Sequence, residues 1–531
     1  MFGPVPAPAQ PPPPADLAQT LAPLANANFR QKQDIAVAVA QSAEPGARAT
    51  LAAFLDGELY AREADGAVLI GKPDGDALAL TDPVSLKSLT TVPAEGYKKI
   101  GTNNSLRKLL RGLVAQIDLN DEDADVRRAA IRESLRNLDA DTVAAFRARL
   151  QVETSARVKR ALQVGLAMDD LGSADVERRL AAVRTLEGEY AAEVHNRLRT
   201  LVERDSSGAY AEPDVRVRDA AREALAQIDS RRQLYGMAET LFFGLSLGSV
   251  LVLAAIGLAI TFGVMGVINM AHGELIMLGA YTAYVMQLLM PDHLGWSLIL
   301  SVPAAFVVSG LFGVAIERGI VRHLYGRPLE TLLATFGLSL ILQQLVRSVF
   351  SPNNRPVAIP DFMSGVWQIN ELFALTYNRL YILLFSLIVF AGLLMVLKRT
   401  PLGLQVRAVS QNRAMARAMG VRSSFVDAAT FGLGAGIAGI AGVALSQLTN
   451  VGPNLGQAYI IDSFMVVVFG GVGNLWGTLI GGMSLGVINK LLEPYAGAVL
   501  AKILVLVALI LFIQRKPRGL FPQKGRAAEG L

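Results

Sequence analysis

The sequence contains no cysteine, which excludes disulfide scaffolds, thiolate zinc sites, iron–sulfur clusters and cysteine nucleophiles. Histidine is scarce as well, with four residues in 531. The sequence has no HExxH motif and no paired carboxylates, which are signs of metal or acid–base chemistry. We therefore expect no metal, no cofactor and no enzymatic activity. Charged residues make up only 18% of the chain, against about 25% in soluble proteins. Hydrophobic residues take their place at 52%.

The shortage of charge is confined to the second half of the chain. Residues 241–531 hold 29 of the 95 Asp, Glu, Lys and Arg residues. So few charges cannot cover a globule that is exposed to water, so we predict that this half lies in a membrane. The net charge is −4 for residues 1–240 and +9 for residues 241–531. Because the excess bases lie between apolar runs, they indicate topogenic charge rather than nucleic-acid binding.

Eight apolar runs reach about the 20 residues that a spanning helix needs. They cover residues 241–264, 271–290, 297–316, 329–349, 379–397, 428–448, 460–488 and 495–513. The seventh run is broken at 470–474 and is compatible with one tilted helix, a re-entrant pair or two short spans. The predicted fold is therefore all-α, a polytopic transmembrane bundle of eight or nine segments. Glycines that recur through the sixth run predict close helix packing.

Basic residues in short loops predict the orientation. The stretch 398–422 carries six bases and no acid, which indicates a cytoplasmic loop, whereas the long and nearly neutral loop 350–378 indicates the external side. Counting back five crossings from this cytoplasmic loop places residue 240 on the external side, although Arg231 and Arg232 favour the cytoplasmic side. The basic tail 516–531 favours the inside and would require nine crossings.

The front half has the charge content of a soluble domain. Residues 1–15 are rich in Pro and Ala and form a predicted disordered leader, and residues 16–235 form the predicted domain. Turn signals within 50–100 predict a small β element. Similar segments around Val126, Val158 and Val217 predict HEAT-like helix pairs, with a plain helical bundle as the alternative. No cleavable signal is visible, so export would need a trimmed signal, an earlier start codon or the first span.

Polar residues within the apolar runs are candidates for a solute pathway, because ionisable groups in a membrane are costly and broken helices expose backbone only where they line a cavity. A spacing of four places Thr331 and the next three polar residues on one stripe. The candidates are Asn269, His272, Glu274, Thr335, Ser339, Gln343 and Asn474. The alternative is a buried hydrogen-bonded clamp that touches no solute. Asp462 is expected to cap its helix at the membrane interface.

Three stretches resemble the branched-chain amino-acid type of ABC-transporter permease. They are residues 244–281 with Asn-Met-Ala-His-Gly-Glu at 269–274, residues 331–339 and residues 467–474. The resemblance covers about 240–520 and implies a permease domain at 236–515 in the bacterial inner membrane. It also implies a second permease subunit, two ATP-binding subunits and a periplasmic solute-binding protein as partners. The added front domain and the string Ile-Asp-Ser-Phe-Met-Val at 461–466 look like the urea-transporter branch.

The resemblance also implies a role for the basic loop. ABC permeases carry a cytoplasmic coupling helix with an E-A-A-x-x-x-G core, and residues 414–420 are its equivalent here, with Ala414 in place of the glutamate. From the residues alone, the loop is an amphipathic helix against a cytoplasmic partner or a solvated topogenic loop. The implied coupling residues are Arg407, Arg413, Ala414, Ala416, Arg417 and Gly420.

The expected function is a permease that passes urea inward by alternating access. Urea is neutral, so selection would depend on shape and hydrogen bonding. The first alternative is a branched-chain amino-acid permease, which would need charge partners or helix ends for a zwitterion, and the bundle is nearly uncharged. The second alternative is a membrane sensor whose front domain, predicted to lie in the periplasm, binds a protein.

Overall fold

The computed structural model describes residues 17–42, 44–74, 77–204, 208–370 and 372–521. The chain divides into two compact units, residues 1–231 and 232–531. The predicted leader at 1–15 and the end of the predicted tail, from residue 522, lie outside the described residues.

The first unit begins with helices and a small antiparallel sheet. Asn28 starts the second helix with a reciprocal cap, since its side chain accepts the Gln31 N–H at 3.0 Å and the Gln31 side chain accepts the Asn28 N–H at 2.9 Å. The sheet has the strand order β4-β3-β2-β1-β5 and lies in the stretch predicted to hold a β element. The elements are α1 (Leu17–Leu21), α2 (Phe29–Gln41), α3 (Pro45–Asp56), β1 (Leu59–Arg62), β2 (Val68–Asp74), β3 (Ala77–Thr81), β4 (Ser88–Pro93) and β5 (Tyr97–Lys99).

Helices fill the rest of the first unit. Aspartates 123, 139 and 175 cap three of them by accepting backbone N–H groups at their first turns. Leu162, Leu186 and other fully buried aliphatic residues form the core. The helices are α4 (Asn104–Asp118), α5 (Ala124–Ser134), α6 (Ala140–Val152), α7 (Ala156–Asp170), α8 (Val176–Leu186), α9 (Ala192–Val202) and α10 (Val215–Met265). Their assignment to HEAT-like repeats stays a prediction.

The second unit is helical apart from one two-stranded hairpin in the loop predicted to be external. After α10, its elements are α11 (His272–Leu289), α12 (Leu294–Gly319), α13 (Pro328–Phe350), β6 (Val366–Gln368), β7 (Ala374–Thr376), α14 (Tyr377–Arg399), α15 (Pro401–Gln411), α16 (Arg413–Ala418), α17 (Ser423–Ser446), α18 (Leu455–Gly470) and α19 (Leu475–Arg515).

Six helices of the described chain are long and apolar enough to cross a membrane, fewer than the eight or nine segments predicted. They are Val215–Met265, Leu294–His323, Pro328–Phe350, Tyr377–Arg399, Ser423–Ser446 and Leu475–Arg515. The run at 271–290 falls short because α11 has 18 residues and begins with His272 and Glu274. The run at 460–488 is not one helix: α18 has 16 residues, about 24 Å. A glycine break separates it from α19.

Glycines allow the close packing that the sequence predicted. A Cβ added to Gly279 of α11 would lie 2.0 Å from the carbonyl oxygen of Gly439 in α17, and one added to Gly257 of α10 would lie 2.2 Å from that of Gly434. No side chain fits at such distances. Small residues therefore bring α10 and α11 into backbone contact with α17, which supplies the van der Waals contact that holds helices together in lipid.

Candidate functional site

The chain leaves the helix between α10 and α11, where the sequence predicted a break. Asn269 is buried in this segment, and its side-chain oxygen accepts the Ala271 N–H at 3.0 Å. Its amide nitrogen is buried and has no hydrogen-bond partner in the described part of the chain. From α13, the Thr335 hydroxyl accepts the Met270 N–H at 3.1 Å and donates to the Thr331 carbonyl at 2.9 Å. The predicted stripe on α13 thus faces the broken segment.

Glu274 is the centre of a polar cluster between α11 and α13. Its side chain is 1% exposed, and its Oε1 accepts the Ser339 hydroxyl at 2.9 Å and the Gln343 amide at 2.8 Å. Its second oxygen, Oε2, is buried without a partner among the described residues. Three predicted pathway residues therefore meet around one carboxylate, and that carboxylate keeps a free acceptor.

His272 has a different role from its neighbour Glu274. It is fully buried, and its Nε2 lies 2.9 Å from the carbonyl oxygen of Ala254 in α10. Since a carbonyl only accepts, Nε2 carries the proton and donates it. This bond ties α11 to α10, which is the clamp that the sequence left open as the alternative for this segment.

Asn474 does not join this cluster. It precedes α19, where its side-chain oxygen accepts the Gly477 N–H at 3.1 Å and its amide donates to the Phe521 carbonyl at 3.3 Å. One bond lies within the first turn of α19, and the other joins the glycine break to Phe521. The structure therefore gives Asn474 a capping position, and it supports no contact between Asn474 and the Glu274 cluster.

The prediction that Asp462 caps its helix is wrong. Asp462 lies inside α18, where Asn454 holds the preceding cap position, and its carboxylate is 2.7 Å from the Lys502 ammonium of α19. Sequence reasoning missed Lys502. The signal was a basic residue inside an apolar run, which is costly in a membrane without a partner.

An apolar cavity of about 490 Å³ lies beside the broken segment. Ile268 and Met270 of that segment line it, and so do Leu332 of α13 and residues of α18 and α19, among them Phe464 and Leu506. It is large enough to admit a small solute, and its wall includes the segment that positions Asn269.

The predicted coupling residues form two short helices, α15 and α16, between α14 and α17. Asn412 caps α16 by accepting the Met415 N–H at 2.9 Å. The chain turns at Gly420 with a φ of +87°, a conformation that favours glycine. Ala416 is buried and Ala414 is exposed.

Three arginines of this loop fold back on the chain itself. Arg413 donates to Asp427 at 2.8 Å and Arg417 donates to the Ser423 hydroxyl at 2.7 Å. Arg407 donates to the backbone carbonyl of residue 397. The outward surface of the loop also carries exposed apolar side chains. Sequence reasoning did not single out these side chains, which are Leu404, Met415, Met419 and Phe425.

A second polar cluster, formed by Glu317, Tyr325 and Asp427, contacts Arg413 of this loop. The Tyr325 hydroxyl donates to the buried carboxylate of Glu317 at 2.7 Å, and the Arg413 guanidinium lies 4.9 Å from the centre of the Tyr325 ring. Burial and the bond to Glu317 raise the pKa of Tyr325 well above its usual value. Arg413 thus joins the loop after α12 to the start of α17. Within the described residues, no group of three or more His, Asp or Glu is placed to hold a metal ion.

Comparison with known proteins places residues 240–513 in the family described as "Branched-chain amino acid transport system / permease component". The high-affinity branched-chain amino acid transport system permease protein BraD of Pseudomonas aeruginosa is 30% identical over 298 residues, 54% of this chain and 96% of its own length. The high-affinity branched-chain amino acid transport system permease protein LivH of Escherichia coli is 30% identical over 301 residues, which are 55% of this chain and 97% of its own length. The ribose import permease protein RbsC of Haemophilus influenzae is 24% identical over 282 residues. No solved structure gives a significant match.

Proposed function

Because this chain belongs to the family of branched-chain amino acid transport system permease components, we propose that it forms the membrane path of an ABC importer for urea. It is a transport subunit and not an enzyme. In this proposal it works with a second permease subunit, two ATP-binding subunits and a periplasmic solute-binding protein. It lies in the bacterial inner membrane with its first unit on the periplasmic side.

The observation that carries the proposal is the unfinished hydrogen bonding of Glu274 and Asn269. Both side chains are buried, and each keeps one polar atom without a partner in the described chain, an acceptor on Glu274 and a donor on Asn269. Leaving such atoms unpaired costs about 1–3 kcal/mol each. Urea carries two NH₂ donors and one carbonyl acceptor, so one molecule has the groups that both atoms lack.

The charge of the cluster supports a neutral solute over a zwitterion. Ser339 and Gln343, the hydrogen-bond partners of Glu274, are both uncharged. Glu274 could pair with the ammonium of an amino acid, but the hydrogen-bonded cluster offers no cation for the carboxylate of that solute, whereas urea needs none. The first unit also supports the urea branch, because the branched-chain relatives match 96–97% of their own length within 54–55% of this chain. The front of the chain is additional to them.

The energy of ATP hydrolysis by the partner subunits would reach this chain through the loop that holds α15 and α16. Its outward side chains include apolar ones, with Met419 78% exposed and Met415 62% exposed. An apolar surface next to a fixed turn at Gly420 suits a groove on an ATP-binding subunit, and the arginines then serve to hold the loop in place. Closure of the ATP-binding subunits would move α16, and the link from Arg413 to Asp427 would pass the motion to α17.

Uptake of labelled urea tests the proposal. In a strain without urease, uptake at low external urea should collapse when this gene alone is deleted and return when it is restored. A chain with Ser339→Ala should restore less, and Ser301→Ala, a buried serine that bonds within its own helix α12, should restore fully. Unchanged urea uptake in the deletion strain, with leucine uptake lost, would refute urea as the solute.

Branched-chain amino acids are the second candidate. The names of BraD and LivH favour them. The Asp462–Lys502 pair also favours them, because it offers one charge of each sign at 2.7 Å, which a zwitterion could replace. Competition decides between the two: excess leucine that blocks uptake of labelled urea, or that is itself taken up only with this gene, would place the zwitterion first.

A further inference from the structure

Three arginines of the first unit repeat one backbone contact. Each lies near the start of a helix, and its Nη1 donates to the two carbonyls five and six residues earlier, at distances of 2.7–3.1 Å. The three arginines are Arg127 in α5, Arg179 in α8 and Arg218 in α10. The same turn and helix start therefore occur three times. In each of them the guanidinium N–H groups that remain, on Nε and Nη2, have the same direction relative to the helix.

The first two arginines hold a carboxylate with those remaining groups. Nε and Nη2 of Arg127 donate to the two oxygens of Glu153 at 2.9 and 2.8 Å. The same atoms of Arg179 donate to Glu212 at 2.8 and 2.9 Å. Both glutamates are buried, and each lies in the turn before a later helix. These are paired, two-point bonds, the strongest geometry between a guanidinium and a carboxylate.

The third arginine lacks this carboxylate. Among the described residues, the buried Nε of Arg218 has no hydrogen-bond partner, and no acidic side chain pairs with its guanidinium. In the first two cases a later segment of the chain supplies the acid. After Arg218 the chain continues as α10 to Met265 without a turn, so no such segment follows.

Two further arginines surround the open position. The guanidinium groups of Arg204, Arg218 and Arg222 lie 4.8, 4.6 and 5.7 Å from the centre of the Tyr210 ring. Arg204 also donates to the Tyr210 hydroxyl at 3.1 Å. Asp219, at 2.6 Å from Arg222, is the one acid that pairs with the three within the described residues. The surroundings of Tyr210 therefore carry excess positive charge, which attracts an acidic partner.

We propose that Arg218, with Arg204, Arg222 and Tyr210, binds a glutamate or aspartate side chain of a partner protein. A side chain of a protein is favoured over a free anion because both filled positions take a carboxylate that a neighbouring turn presents. The bound acid would place its two oxygens on Nε and Nη2 of Arg218, as Glu153 does on Arg127. This inference does not depend on which solute the permease carries.

A peptide that copies a filled position tests the inference. The probe is a fluorescent peptide with the sequence of residues 150–156, Leu-Gln-Val-Glu-Thr-Ser-Ala, titrated onto the purified full-length protein in detergent. We expect binding that weakens at least tenfold when the peptide glutamate becomes glutamine, and again when the protein carries Arg218→Lys, which cannot form the two-point bond. Arg199→Lys, at an exposed arginine of α9, is the matched control and should bind as the unchanged protein does.

Two controls keep the outcome decisive. Arg204→Gln leaves Arg218 and its backbone bonds in place, so weaker binding in that variant excludes misfolding of the turn as the cause. Inorganic phosphate is titrated separately. No binding to the unchanged protein, or equal binding of the glutamate and glutamine peptides, would overturn the proposal. Tight phosphate binding that Arg218→Lys abolishes, with no difference between the peptides, would assign the site to a free anion instead.

Discussion

In the first unit, buried Glu153 meets the guanidinium of Arg127 at two points, whereas in the second unit buried Glu274 meets only the neutral groups of Ser339 and Gln343. Arg127, Arg149 and the backbone N–H groups of Thr154 and Ser155 together satisfy both oxygens of Glu153, which suits a core that only has to stay folded. The neutral setting leaves one oxygen of Glu274 free. The difference suggests that the first unit uses buried charge for structure, and the second keeps an unsatisfied group where a solute would pass.

The largest effect should come from breaking the pair in the first unit. Arg127→Met leaves the buried Glu153 with Arg149, at 3.1 Å, and the backbone N–H groups of Thr154 and Ser155, and breaking a buried ion pair by removing one partner costs about 3–5 kcal/mol. Hydrogen exchange of the full-length protein should show faster exchange in α5 to α7 and unchanged exchange in α11 to α14. Arg147→Met, at an exposed pair with Asp169, is the control and should change little. Equal exchange in both variants would show that the buried pair contributes nothing to structure.

The carboxylate in the second unit should behave in the opposite way. Glu274→Gln keeps the shape of the side chain and removes the charge, so stability should change little. Solute uptake should fall about tenfold, because one hydrogen bond to a charged group is worth about 1.5–3 kcal/mol. Labelled uptake and thermal unfolding are measured on the same variant.

The result of Glu274→Gln separates a pathway from a clamp. His272 offers the comparison, since its bond to Ala254 joins two helices. His272→Ala should lower thermal stability more than Glu274→Gln does. If Glu274→Gln loses stability and uptake in proportion, Glu274 is a clamp as well, and the contrast between the two units fails.

The sequence could predict parts of this site and not others, for reasons of geometry. A spacing of four places Thr335, Ser339 and Gln343 on one face of a helix, so their common stripe follows from the chain alone. That this stripe faces Glu274, 65 residues before Ser339, depends on how α11 packs against α13. Local pattern carries no information on such long-range pairing.

Residues were missed for two reasons, unexpected burial and long-range pairing. Arg127 and Glu153 are charged residues on amphipathic helices and turns, where a solvated face is the ordinary expectation, so their burial is invisible in the sequence. Lys502 pairs with Asp462 across 40 residues. The prediction of Asn474 in the pathway comes from its place at a glycine break, and the structure adds that the same position begins α19, where its side chain caps the helix.

A smaller effect should come from the ion pair between Arg413 and Asp427 at the coupling loop. Arg413 is partly exposed while Asp427 is buried, so water can replace part of the lost contact in Arg413→Gln. We expect uptake to fall several-fold, with ATP hydrolysis by the partner subunits less stimulated by solute. Arg422→Gln, at an exposed position between α16 and α17, is the control and should retain both activities. Loss of uptake with normal stimulation would remove Arg413 from the coupling path.

The last expected effect is a dependence on pH, and it should appear in the first unit around Glu153. The guanidinium of Arg127 lowers the pKa of Glu153 from 4.5 to about 2. A carboxyl with a lowered pKa adds stability that is fully present above pH 4.5 and is lost as the pH falls from 4.5 toward 2. Acid titration of the full-length protein, followed by hydrogen exchange in α5 to α7, should show this loss, and Glu153→Gln should abolish it. Glu203→Gln, at an exposed pair with Arg199, should leave the acid profile as it is, because solvent already screens that pair.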